Sequence, residues 1–245
     1  MKQIFAYESV EDHNRYEEIT KQLMNSLTSY EKLLMEKFSL NEKPKGIVWT
    51  TKELATTVFS NVPIPAFTNR DLIYISPDLK EWKELFINQL AGRNLPHISE
   101  YYQSINFKEI LTILGHELTH HIDLFVDDFD DDRDEAIWFE EGMCEFLPRK
   151  FMLSDEEFDK ITNIEQQLVE TFKNQYGNHS LEEFGAMSYE GSLTSIMYDY
   201  WRSFLAVKKL VEEAGGNVLK VFERYHEWHQ SGRGVTLTEF FNIDL

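Results

Sequence analysis

The chain has 245 residues, of which 42% are hydrophobic, and its 43 acidic and 24 basic side chains give a formal net charge of −19. The apolar fraction excludes a disordered chain, no apolar run reaches the ~18 residues that span a bilayer, and the negative charge repels nucleic acid. A start without the apolar stretch of a signal peptide, together with a single cysteine, favours a cytoplasmic protein with no membrane or nucleic-acid partner.

The N-terminal part combines a long helix with a candidate strand. Apolar residues recur at three- and four-residue steps and predict an amphipathic helix over about residues 10–38. Two prolines within residues 61–67 favour an extended segment. Residues 71–76 are the best strand candidate in the sequence. The run that follows, Ser76-Pro77-Asp78, predicts a helix that is capped by Ser76 and ends near Gly92.

Beyond residue 105 the pattern is almost entirely helical. A run that resembles a capping box, at 106–109, predicts a helix through residue 122. A second helix is predicted from about residue 134 to 146, stopping at Pro148. The remaining predicted helices cover residues 154–176, 188–213, 218–230 and 238–241. Strands followed by helices predict an α+β chain.

No flexible linker interrupts the sequence, which favours a single unit over residues 1–245. Within it we expect an N-terminal helical segment over 1–44, which packs as an extra element or cover. A sheet with the active-site helices would follow over 45–146, and a helical lower subdomain over 147–245.

The helix predicted from residue 106 carries the motif His116-Glu117-Leu118-Thr119-His120. Two histidines four residues apart lie on the same face of a helix, so both imidazoles can reach one metal ion. Glu117 lies beside them and can take a proton from a water molecule that zinc has acidified. The strongly apolar flanks of the motif predict a buried helix, in which histidines need partners.

The next predicted helix offers a third ligand, because a catalytic zinc ion usually has three protein ligands and one water. Glu141 and Glu145 lie four residues apart and share a face. One of them could bind the metal while the other accepts a hydrogen bond from a ligand histidine. Gly142 would let the two helix backbones approach closely around the ion.

Together, the motifs His116-Glu117-x-x-His120 and Trp138-Phe139-x-Glu141-Gly142-x-x-Glu145 resemble those of the gluzincins. This superfamily of metallopeptidases includes thermolysin and the aminopeptidase N relatives. The resemblance implies a zincin catalytic domain with a small N-terminal sheet, an active-site helix and a mostly helical C-terminal half. It also implies a zinc-dependent peptidase, a hydrolase that acts on peptide or protein substrates.

Carried over position by position, the resemblance makes His116, His120 and Glu141 the ligands of one zinc ion per chain. Glu117 becomes the general base, and Glu145 becomes the carboxylate that supports the ligands from behind. The chain departs from the family at residue 140, where a glutamate replaces the usual asparagine and adds charge near the site.

Two further features of the family have candidate matches. Gluzincins place an antiparallel edge strand above the active-site helix, where it pairs with the substrate backbone. Residues 72–76 are the match, with Tyr74 and Ile75 binding substrate. Tyr189 opens the helix over 188–213 and is the candidate that stabilises the oxyanion, or else it only packs at the helix start. The Gly-x-Met-Glu-Asn signature of the aminopeptidases is absent, which counts against aminopeptidase specificity.

Other clusters have plainer interpretations. The acidic run over 127–135 lacks the spacing of an EF-hand and is interpreted as a solvated loop rather than a calcium site. If it borders the cleft, it favours cationic substrates. His121 points about 100° away from His120 around the helix, so it is a surface or supporting residue. A second metal site at His226 and His229 is less favoured than an exposed helix face.

Two alternatives remain to the peptidase. The chain could be a non-catalytic zinc-binding protein with a regulatory or partner-binding role, although such a site has no need of Glu117. It could also be a latent enzyme, whose cleft is blocked by the N-terminal helix or by the acidic run.

Overall fold

The structure, a computed structural model, describes residues 1–129 and 136–243. The chain forms two compact units, Met1–Ile122 and Asp123–Leu245. The first unit contains a four-stranded sheet and helices, and the second is helical in its described residues. A mostly helical α+β chain with a small N-terminal sheet is therefore confirmed. The single catalytic domain stays a prediction. None of the described helices combines the length and the apolar composition needed to cross a membrane.

The first unit contains both strands and helices, and three consecutive helices follow its last strand. A π-helical turn, Ala55–Phe59, directly follows the short helix Lys52–Leu54. The elements in order are β1 Lys2–Ala6, α1 Val10–Lys37, β2 Gly46–Thr50, α2 Lys52–Leu54, β3 Ala66–Thr68, β4 Leu72–Ile75, α3 Leu79–Asn88, α4 Pro96–Ser104 and α5 Phe107–Thr119.

The sheet has the strand order β1-β2-β4-β3, in which β1, β2 and β4 are parallel and β3 is antiparallel to β4. Ile75 lies opposite Trp49 on one side and Ala66 on the other. The expectation that residues 72–76 form the edge strand is therefore wrong. The extended segment with two prolines turns back, and Ser76 donates a backbone hydrogen bond to the Pro65 carbonyl (2.9 Å). This return places β3 on the outer side of β4.

Helix α1 matches its predicted bounds, and it is part of the core of the first unit. Its apolar stripe is buried, including Leu23 and Leu34, which have no exposed surface. The Tyr30 hydroxyl lies 2.7 Å from Thr119 Oγ1, at the end of α5. Of the two expected roles, extra element or cover, the first is supported, because α1 packs against α5 and supplies buried side chains. Deletion of residues 1–40 would expose this core.

Three helix boundaries in the first unit differ from the predicted ones, and one of them is the end of α3, which lies at Asn88 and not near Gly92. Asp78, rather than Ser76, caps α3 and accepts a hydrogen bond from the Lys80 amide (2.8 Å). Helix α5 begins after Asn106 as predicted but ends at Thr119, with His120 as its C-cap. Strand β1 and helix α4 were not predicted. The exposed β1 has no alternating apolar pattern, and this segment becomes a strand through its pairing with β2.

The second unit contains the helices α6 Ile137–Met152, α7 Asp155–Tyr176, α8 Leu193–Glu213, α9 Val218–Gln230 and α10 Leu237–Phe241. Two short 3₁₀ turns, Leu181–Glu183 and Ala186–Glu190, precede α8. The predictions for α7, α9 and α10 are confirmed to within one residue. Helix α8 begins five residues later than predicted, behind its cap Ser192. The predicted start of α6 at 134 and residues 130–135 of the acidic run lie outside the described residues.

Helix α6 continues through Pro148, so the predicted stop there is wrong. Proline removes a backbone donor and costs about 3 kcal/mol inside a helix. Contacts on both sides of it oppose this cost. Phe146 and Leu147, just before the proline, are buried, and Arg149, directly after it, forms ion pairs with Glu145 (2.6 Å) and Glu165 (2.9 Å).

Gly142 brings α6 into backbone contact with α8. A Cβ atom at this position would lie 2.7 Å from Val207 Cγ2 and still closer to the Ser203 carbonyl oxygen. The close approach predicted at Gly142 was between the helices of His116 and Glu141, whereas the backbone that lies against Gly142 is that of α8. No side chain larger than hydrogen fits here without moving α6 from α8.

Gly142→Ala should destabilise the second unit by about 1–3 kcal/mol, because the added methyl group meets backbone that cannot rotate away. Urea unfolding followed by tryptophan fluorescence measures the loss. Gly234→Ala is the matched control, since a Cβ there meets no atom within 4 Å. Equal stability of the two variants would contradict the close packing of α6 on α8.

Candidate metal centre

Two histidines at the end of α5 point their ring nitrogens at each other. The Nε2 atoms of His116 and His120 lie 3.2 Å apart, and the ring centroids are separated by 5.0 Å. His116 is only 7% exposed and His120 is half-buried. The i, i+4 spacing persists because His120 keeps α-helical backbone angles as the C-cap.

The separation of the two nitrogens fits a shared ion. Two ligands bound at about 2.0–2.1 Å to a tetrahedral zinc ion lie roughly 3.3–3.4 Å from each other. The observed 3.2 Å is close to that value. Hydrogen-bonded packing within the first unit holds the helix end that carries them, because Thr119 Oγ1 donates to the Gly115 carbonyl (2.7 Å) and also meets Tyr30.

Glu141 lies on the first half of α6 and is 8% exposed. The Tyr189 hydroxyl donates a hydrogen bond to its Oε1 atom (3.2 Å). The start of α6 is held by Trp138, whose indole nitrogen donates to the Glu182 carboxylate (3.2 Å). A carboxylate buried to this degree needs donors or a cation around it.

His116, His120 and Glu141 form a group whose ligand atoms all lie within 4.8 Å of one another and that could hold a metal ion. These are the three residues predicted as ligands. Two imidazoles and a carboxylate suit zinc. Glu140, also buried, is not part of the group.

No family model, no curated protein and no solved structure matches the chain. The interpretation of the site therefore depends on its own residues.

Two further carboxylates lie on the helices that carry the ligand group, and Glu117 is buried whereas Glu145 is half-buried. Glu117 is 6% exposed, next to His116 on α5, and its predicted role as a base stays a prediction. Glu145 is held by Arg149, which donates to it from Nη2 while its Nη1 pairs with the nearly buried Glu165. This clamp fixes the Glu145 carboxylate, whose predicted support of the ligand histidines also stays a prediction.

The residues predicted to bind substrate or an oxyanion lie in different structural settings from those expected. Ile75 is fully buried inside the sheet and offers no surface to a substrate. Tyr74 stacks on Phe67 of β3, with ring centroids 4.6 Å apart, and a role for its side chain stays a prediction. Tyr189 belongs to the 3₁₀ turn before α8 instead of opening that helix.

The other histidines have separate partners. The Nε2 atom of His121 lies 2.8 Å from Thr68 Oγ1, so this buried residue connects the end of α5 to β3 and is not a surface residue. His226 meets the Leu124 carbonyl oxygen (2.7 Å), whereas Nδ1 of His229 accepts a hydrogen bond from Arg233 (3.1 Å). In the part of the chain that the structure describes, these two histidines belong to no ligand group.

Two contacts near the site have no local signal in the sequence. Tyr200 on α8 places its hydroxyl 3.0 Å from that of Tyr189. The pairing of His121 with Thr68 joins residues 53 positions apart. Both depend on packing between distant segments.

We expect the protein to bind one zinc ion per chain, and His116→Ala and Glu141→Ala should each weaken binding by more than about 100-fold, because each removes a ligand. Metal analysis and competition with a chromophoric chelator measure stoichiometry and affinity. His97→Ala, on the exposed face of α4, is the control and should bind as the unaltered chain does. Unchanged affinity in Glu141→Ala would remove this residue from the ligand set.

Proposed function

We propose that this protein is a zinc-dependent peptidase of the gluzincin type, which hydrolyses peptide bonds in a peptide or protein substrate. The observation that carries the proposal is the group His116, His120 and Glu141, with the buried Glu117 directly after the first ligand in the sequence. Structural zinc sites are closed by four protein ligands, whereas catalytic sites have three and an open position. The group among the described residues has three.

The ligand group would hold the zinc ion, which, when bound, polarises the scissile carbonyl and lowers the pKa of a water molecule to about 7. Glu117 would accept the proton from the attacking water and later deliver it to the leaving amine. Its burial strengthens each hydrogen bond that it makes, because the local dielectric constant is low. Tyr189, whose hydroxyl donates to Glu141, is the candidate donor to the oxyanion once that hydrogen bond is released.

Strand β3 is the better candidate for pairing with an extended substrate. It is an edge strand of the sheet, and it contacts α5, which carries both histidines. An exposed strand edge can add a peptide as a further strand through backbone hydrogen bonds. Thr68, at the end of β3, is tied to α5 through His121. We therefore transfer the substrate-pairing role from residues 72–76 to Ala66–Thr68.

The decisive experiment compares the zinc-loaded protein with its Glu117→Gln variant on a mixed peptide library, read by mass spectrometry. The variant should keep its zinc but lose cleavage by about 10²–10⁴-fold, because the amide cannot accept the proton. Glu84→Gln, an exposed glutamate on α3, is the matched control and should cleave as the unaltered chain does.

The outcomes separate the candidate functions. Cleavage by the unaltered chain and by Glu84→Gln alone would support the peptidase. Full zinc loading without cleavage by any of the proteins would favour the non-catalytic zinc-binding role. Cleavage that persists in Glu117→Gln, or after zinc is removed, would contradict the mechanism.

The same library tests substrate charge. The net charge of −19 should favour peptides rich in Lys and Arg through long-range attraction. The preference should shrink as salt is raised, since the Debye length falls from about 30 Å at 0.01 M to about 8 Å at 0.15 M. Equal cleavage of cationic and neutral peptides at low salt would show that the charge does not select substrate.

A further inference from the structure

Two tyrosine hydroxyls and a carboxylate form a chain within the second unit. The Tyr200 and Tyr189 hydroxyls lie 3.0 Å apart, and the Tyr189 hydroxyl lies 3.2 Å from Glu141 Oε1. Tyr200 comes from the second turn of α8, Tyr189 from the 3₁₀ turn before it and Glu141 from α6. Three separate segments thus meet at one line of hydrogen bonds.

The chemistry of the three groups sets the direction of the chain. An ionised carboxylate only accepts hydrogen bonds, so the single proton of Tyr189 must be donated to Glu141. The Tyr189 oxygen is then left as an acceptor towards Tyr200, whose hydroxyl donates to it. Both hydroxyl protons therefore point along the chain towards the carboxylate. Hydrogen bonds that run in series in this way polarise one another.

Packing holds the rings of the two tyrosines in place, and this keeps their hydroxyls close to each other. The buried Phe184 contacts both rings, with centroid separations of 6.1 Å to Tyr189 and 5.2 Å to Tyr200. The turn region is also tied to α8, because Arg202 Nη1 donates to the His179 carbonyl (3.0 Å) while Nη2 pairs with Asp199 (2.7 Å).

We propose that Tyr200 is a positioning residue for the metal site, acting through Tyr189 to fix the carboxylate of Glu141; this inference rests on the proposed function. At 3.2 Å, the bond from Tyr189 to Glu141 is longer than the ~2.7 Å mode for O–H···O bonds. A long bond holds the hydroxyl only loosely, so the direction of the Tyr189 hydroxyl depends on its other contacts. The hydroxyl of Tyr200 provides such a contact and keeps the Tyr189 proton directed at the ligand.

The role of Tyr189 changes accordingly. A hydroxyl has one proton, and here that proton is donated to Glu141. Tyr189 therefore orients a ligand carboxylate in the structure as it stands. It could serve an oxyanion only by releasing Glu141. Residues that orient metal ligands in this way typically change metal affinity by about 10–100-fold when they are replaced.

The test measures zinc affinity, by chelator competition on the full chain, for Tyr189→Phe, Tyr200→Phe and the double variant. Each substitution removes one hydroxyl and keeps the ring in its packing. Tyr189→Phe should weaken zinc binding by about 10–100-fold, and Tyr200→Phe by a smaller factor of about 3–10. The double variant should bind no more weakly than Tyr189→Phe, since Tyr200 has no path to Glu141 without Tyr189. Tyr198→Phe, a buried tyrosine on the same helix, is the control and should leave the affinity unchanged.

Two results would overturn the proposal: wild-type affinity in Tyr200→Phe, or losses that multiply in the double variant. A purely packing role for Tyr200 predicts the first of these.

If the unaltered chain binds no zinc, the proposed function fails, and the hydroxyl chain is then tested by thermal unfolding of the metal-free protein. There the sum of the melting-temperature shifts of the two single variants should exceed the shift of the double variant. Additive shifts would reject the chain independently of any metal.

Discussion

The cost of burying charged and hydrogen-bonding groups is the constraint on which this structure depends. Glu117, Glu141 and His116 are each less than a tenth exposed. Groups of this kind are stable in a protein interior only when cations or hydrogen bonds compensate the water that they lose. In the proposed metal site, an ion bound by His116, His120 and Glu141 would supply that compensation.

Each unit supports its own ligands with contacts that are distant in sequence. In the first unit, α5 is held by the Tyr30 hydroxyl from α1 and, at its end, by the pairing of His121 with β3. In the second, α6 lies in backbone contact with α8 at Gly142, and Arg149 clamps the turn that follows Glu141. Each helix is thus held in place close to its proposed ligand residues. This restricts the positions that the buried ligand side chains can adopt.

The proposed chemistry separates into binding and proton transfer. The tyrosine chain bears on binding, because it ends on a ligand carboxylate, whereas Glu117 bears on proton transfer. Substitutions in the two places should therefore have different effects: loss of metal affinity in one case and loss of turnover with metal retained in the other. The contact between β3 and α5 adds a strand edge beside the same helix, where a peptide backbone could be aligned.

Local patterns in the sequence determined the long helices and the ligand residues. Helices α1, α7 and α9 follow from apolar periodicity, and His116 and His120 share a face because their spacing matches one helical turn. Tertiary structure alone decided the rest. A three-residue strand such as β3 has no periodicity to recognise, so strand order could not be predicted. The passage of α6 through Pro148 depends on flanking contacts that offset a local penalty. Tyr200 reaches the site only because a turn brings Tyr189 back against α8. Local propensity is set by neighbours along the chain, whereas these features are set by residues that folding brings together.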